Sequence, residues 1–213
     1  MMNRRDLLTM IAAVTGTAML GAGRVMAYVP TETGQNLFTP EDAAFLDEVA
    51  ETIIPATDTP GAKDAAAGAF MTQFVSDCYD ADEQAAFRDS IETLKAEAQS
   101  RYGAAFETLE PAQRQEMLQE AMVAAAAQAV VVNEAKEQAR QQARDVQPSA
   151  DTAASAEADV DLPALHWFTP LQQLTLLGFF TSEIGATQVL RYEPVPGEYI
   201  GDLDYDGGPA WAT

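Results

Sequence analysis

The sequence predicts an all-α fold, a small helical bundle that ends in an irregular arm rich in aromatic residues and proline. Three observations predict it. Apolar residues recur at helical spacing in separate runs over 45–54, 70–78, 87–102 and 174–180. Helix-start signals such as Thr39-Pro40 and Thr169-Pro170, and stops such as Pro55 and Gly103, bracket those runs. Alternating strand patterns are missing, apart from weak β-propensity after Gln188.

Thr39 is placed to cap the first helix, with Pro40 at its first position and Glu41 and Asp42 at the positive end of the dipole. Phe45, Leu46, Val49, Ala50, Ile53 and Ile54 then lay one apolar stripe along a single face, and Pro55 ends it. Pro55 to Ala62 holds two prolines, a glycine and three short polar side chains, which makes a structured turn. A second helix over about 64–79 carries Phe70, Met71, Phe74, Val75 and Cys78, with Cys78 expected as a small buried hydrophobe. A third, from near Asp82, buries Phe87, Ile91, Leu94, Ala98 and Tyr102 and stops at Gly103. A fourth opens at Pro111 with Met117, Leu118 and Met122 and continues to about Arg144 in residues of high helix propensity but small volume. Residues 146–161 form an acidic low-complexity linker that cannot supply a core. The last helix should start in a capping box of Thr169, Pro170 and Gln172, run through Leu174, Leu176, Leu177, Phe179 and Phe180, and turn at Thr181–Gly185 into the arm.

Asn3-Arg4-Arg5-Asp6-Leu7-Leu8 is a twin-arginine signature, followed by an apolar run from Met10 to Ala22 and a small-residue cleavage site at Val25-Met26-Ala27. The expected organisation is a signal peptide over 1–27, a helical bundle over 28–145, the linker over 146–161, and a helix with a docking arm over 162–213. Export with cleavage removes Arg4, Arg5, Arg24 and Asp6, and so moves the formal charge from −21 to −23. Such a surface excludes non-specific nucleic-acid binding, which needs clustered Lys and Arg.

Little in the sequence equips the chain for chemistry. His166 is the one histidine and Cys78 the one cysteine, so neither a catalytic triad nor a histidine-rich metal site can be assembled from this chain. No glycine fingerprint for a dinucleotide and no phosphate loop is present. Asp202, Asp204, Asp206 and Gly207 match the first half of a calcium loop, but its twelfth position falls on Thr213, where a bidentate glutamate is required, and flanking helices are missing. An acidic turn is the expectation there. The sequence therefore assigns no catalytic, cofactor or metal residue. Tyr192, Tyr199, Tyr205 and Trp211, interleaved with Pro194, Pro196 and Pro209, have instead the low-entropy aromatic composition of protein interfaces, although the same rings would also serve to cover their own bundle. The interface expected from the sequence comprises Phe179, Phe180, Glu183, Arg191, Tyr192, Pro196, Tyr199 and Trp211.

Several segments in order resemble the gluconate 2-dehydrogenase subunit 3 family: the twin-arginine leader, Ile53-Ile54-Pro55, the Thr57–Ala62 turn, the run from Gly178 to Gly185, Pro196-Gly197-Glu198-Tyr199 and the Ala210–Thr213 ending. The likeness covers the leader to Phe106 and Trp167 to the end. The Ala/Gln-rich helix and acidic linker from about Ala121 to Asp161 depart from it, and Asp202 stands where many members carry a cysteine. The resemblance implies a non-catalytic small subunit of a periplasmic, membrane-associated dehydrogenase of sugars, sugar acids or polyols. It implies a large flavoprotein partner of the glucose-methanol-choline type that holds FAD, a further cytochrome c subunit that holds haem, no cofactor in this chain, and a part in assembly and export of the flavoprotein. A stand-alone periplasmic binding or scaffold protein is the alternative reading.

Overall fold

A computed structural model describes residues 36–146, with side chains to 142, together with 163–195, 197, 204 and 207–212. The elements are α1 (Pro40–Ile53), α2 (Ala67–Cys78), α3 (Ala81–Tyr102), a short 3₁₀ turn (Phe106–Thr108), α4 (Pro111–Val146), α5 (Phe168–Phe180) and a π-helical turn (Gly185–Val189). The fold is all-α, with no strand among the described residues. No described helix is long and apolar enough to cross a membrane.

Capping chemistry fixes most boundaries. Thr39 accepts from the Asp42 N–H while the Asp42 carboxylate accepts from the Thr39 N–H, a reciprocal box that satisfies two otherwise unpaired donors. Asp80 and Glu83 form the same arrangement at the start of α3. Gly103 ends α3 at φ 68°, in the left-handed region that glycine enters without steric cost.

The chain divides into two compact units. One comprises residues 32–128 and 165–213 and contains a single apolar core. Phe45, Leu46 and Val49 of α1, Met71 and Val75 of α2, and Phe87 and Leu94 of α3 meet Phe168, Leu171 and Phe179 of α5 there, all nearly inaccessible to solvent. Burying each such side chain contributes about 1.5–3 kcal/mol. Gly68 lets α2 approach α1 closely, since a Cβ there would lie 2.1 Å from the Ala43 carbonyl, and its N–H donates to Asp47 Oδ1 at 2.7 Å. The other unit contains the carboxyl half of α4, on which Val130 and Val131 are exposed while Val132 and Ala139 are buried.

Three expectations need correction. Cys78 is exposed, because the buried face of α2 runs through Ala67, Gly68, Met71, Thr72 and Val75, and Cys78 is the last residue of the helix. Thr169 does not cap α5. The helix begins at Phe168, whose ring is core and whose N–H is taken by Nδ1 of His166 at 3.2 Å. Thr181–Gly185 is not a simple turn either, for the chain winds on into the π-helical turn, closed by the Leu190 N–H donating to the Gly185 carbonyl at 2.9 Å. The linker over 146–161 lies almost wholly outside the described residues.

Candidate docking surface

The last helix places apolar residues on its outer as well as its inner side, and this property, more than any single residue, makes a surface. Phe168, Leu171, Leu174 and Phe179 point inward. Leu176, Leu177 and Phe180 point outward, each about 40 % exposed. A soluble helix ordinarily turns polar residues to water, so an apolar outer face marks a place where another surface belongs. Gly178 packs α5 onto α2. A Cβ there would stand 2.5 Å from the Phe70 ring, so the half-buried Phe70 and Phe74 flank this side of the helix.

Beyond α5 the chain is steered by Ser182 and Gly185. Ser182 Oγ donates to the Phe179 carbonyl at 2.7 Å and accepts from the Gly185 N–H at 2.9 Å. A side chain at Gly185 would collide with the Phe179 carbonyl at 2.0 Å, so the tight winding requires glycine there. The π-helical turn then delivers Arg191 to the base of the arm. Its N–H donates to the Ala210 carbonyl at 2.8 Å and its carbonyl accepts from the Ala212 N–H at 2.9 Å, a parallel bridge to Trp211. The Arg191 guanidinium also lies 4.7 Å from the centroid of the Trp211 ring. The β-propensity read after Gln188 is realised as this single bridge.

The expected interface residues therefore fall into three groups. Phe180, Glu183, Tyr192 and Trp211 are exposed and Arg191 is half-buried at the arm's base. Phe179 is 1 % exposed, so it belongs to the core and not to a surface. Pro196 and Tyr199 lie outside the described residues, as do Asp202 and Asp206 of the acidic turn. Leu176 and Leu177 were not among the expected interface residues. The sequence did carry their signal, because a helix with apolar residues spread around its circumference cannot hide all of them in a small bundle. Among the described residues no group of three or more His, Cys, Asp or Glu side chains is arranged to hold a metal ion.

Fold and surface together define an all-α protein whose last helix and bridged arm present apolar and aromatic groups to solvent. The chain belongs to the gluconate 2-dehydrogenase subunit 3 family, whose profile matches residues 40–197, well over half of its length. The family name makes its members subunits of a multi-subunit dehydrogenase complex. No curated protein and no solved structure matches the chain.

Proposed function

We propose that this chain is the non-catalytic small subunit of a membrane-associated, FAD-dependent dehydrogenase of sugars, sugar acids or polyols. It assembles with and stabilises the flavoprotein large subunit, which holds FAD, and a cytochrome c subunit with haem completes the complex. The chain also takes its flavoprotein partner to the periplasm by the twin-arginine route. Family membership over residues 40–197 is the observation that carries this reading. The outward Leu176, Leu177 and Phe180 support it, since an uncovered apolar face suits a subunit better than a free-standing protein. The Arg4-Arg5 pair adds the route, because twin-arginine export handles folded cargo and a cofactor-loaded partner must fold before it crosses.

The deciding experiment replaces Arg4 and Arg5 together by lysine in the full-length chain and measures flavin-dependent dehydrogenase activity in the periplasm. Loss of that activity, with flavoprotein retained in the cytoplasm, is expected. Undiminished periplasmic activity would defeat the escort role.

A further inference from the structure

A groove of about 670 Å³ runs between the carboxyl end of α1, the first half of α4 and the start of α5. Its accessible apolar lining is Ile53, Pro55, Ala112 and Met122, over the buried Leu118 and Phe168. Above that lining stand three primary amides, Gln115 and Gln119 of α4 and Gln172 of α5, none of which makes a side-chain hydrogen bond among the described residues. The one charged side chain on its wall, Glu116, is engaged elsewhere, by Arg101 at 3.1 Å and by the Tyr102 hydroxyl at 3.0 Å.

That combination selects an occupant. A phosphate, carboxylate or other anion needs cationic partners, and the groove's lining has none. A cation would find only a carboxylate that is already paired. Neutral amides, each with both donors and an acceptor, suit the alternating N–H and C=O groups of an extended polypeptide. The neutrality is itself unusual in a chain of formal charge −21.

The groove does not end blindly. Gln172, Leu176 and Phe180 are four residues apart in succession on α5, so they stand in one row along the helix, about 12 Å from first to last at 1.5 Å per residue. The row leads from the groove to the outer apolar face described above. We infer that the groove and the Gln172–Leu176–Phe180 row form one track that binds an uncharged, extended segment of the flavoprotein subunit, with its backbone on the glutamine amides and its apolar side chains on Ile53, Pro55, Ala112 and Met122. This rests on the proposed function, which supplies the flavoprotein, and goes beyond it in naming where and in what form the partner is held.

Two measurements test it on the full-length chain co-expressed with the flavin-containing dehydrogenase subunit of the same source. The first is recovery of that subunit with the chain carrying Gln119→Glu and Gln172→Glu, with Gln99→Glu on α3 as control. Both changes are at the rim of the groove, and equal melting temperatures confirm that the fold is kept. Recovery falls roughly tenfold in the double variant and is unchanged in the control. The second places a photo-crosslinking residue at Gln115 and identifies its products by mass spectrometry, with a peptide of the flavoprotein expected. If wild-type chain recovers no dehydrogenase subunit at all, the proposed function fails and this inference with it. If wild type and double variant recover it equally, or the crosslink joins only two copies of this chain, the track is wrong while the proposed function stands.

Discussion

Nη1 of Arg114 on α4 lies 2.7 Å from Oε2 of Glu48 on α1, and the other oxygen of the same carboxylate is bonded by Lys63 from the loop that follows α1. One half-buried carboxylate thus ties α4, α1 and the loop together. Both members of the Arg114 pair are largely withdrawn from solvent, 17 % and 25 % exposed, so water screens this bond less than a surface pair.

Removing one partner should therefore leave the other charged and poorly solvated. Glu48→Gln is expected to lower stability by about 1.5–3 kcal/mol, the range for hydrogen bonds to charged groups. Chemical denaturation measures this directly, and a loss within a few tenths of a kcal/mol would show that the pair holds nothing together.

Acid should act through the same carboxylate. The Lys63 hydrogen bond first, and that of Arg114 after it, hold Glu48 below its ordinary value of 4.5, against an opposing push from burial. A folded-state value below the unfolded one gives stability that is fully present above about pH 4.5 and is lost as pH falls through the depressed value. Asp47 works the other way, raised by burial despite its bond from the Gly68 N–H. Unfolding free energy measured from pH 7 to pH 3 should thus fall mainly below pH 4.5, and more shallowly in Glu48→Gln than in the wild type.

Phe179 and Phe180 are adjacent in sequence and opposite in consequence. Phe179→Ala empties a fully buried site and should cost about 3–5 kcal/mol, read as a fall in the denaturation midpoint. Phe180→Ala, on the outer face, should change stability by less than about 1 kcal/mol yet weaken association with the flavoprotein partner proposed above. Equal effects of the two on stability would contradict the packing of α5.

The cation–π contact at the base of the arm should contribute about 0.5–1 kcal/mol, because Trp211 is 48 % exposed. Arg191→Ala keeps the backbone bridge, so amide exchange at Ala212 is expected to quicken only a few-fold while indole fluorescence shifts. An unaltered emission spectrum would place the guanidinium away from the ring.

At His166, loss of Nδ1 should free the Phe168 N–H and fray the first turn of α5. His166→Ala is expected to cost about 0.5–1.5 kcal/mol, the usual net worth of one hydrogen bond. Denaturation midpoints measure it, with His166→Asn as the variant that restores an acceptor.

Sequence alone determined the class of the fold, the family and the order of the elements. Those are local or repetitive signals: Thr39 with Asp42, Gly103 past α3, and the Phe87, Ile91, Leu94, Ala98 stripe each declare themselves within one or two helical turns. Only the tertiary structure decided which way each side of an element faces when its pattern is not polarised. In α5 apolar residues lie all round the helix, so nothing local says that Phe179 points inward and Leu176, Leu177 and Phe180 outward. Cys78 keeps helical spacing with Val75 yet is exposed, because burial depends on whether a neighbouring element extends to cover that last turn. The first residue of α5 moved from Pro170 to Phe168 for a similar reason, since the Phe168 ring is wanted in the core and His166 happens to be placed to accept its N–H. The groove beside Gln115, Gln119 and Gln172 exists only because residues of α4 and α5 more than fifty positions apart, such as Gln119 and Gln172, are held side by side, and a one-dimensional pattern has no means of expressing that proximity.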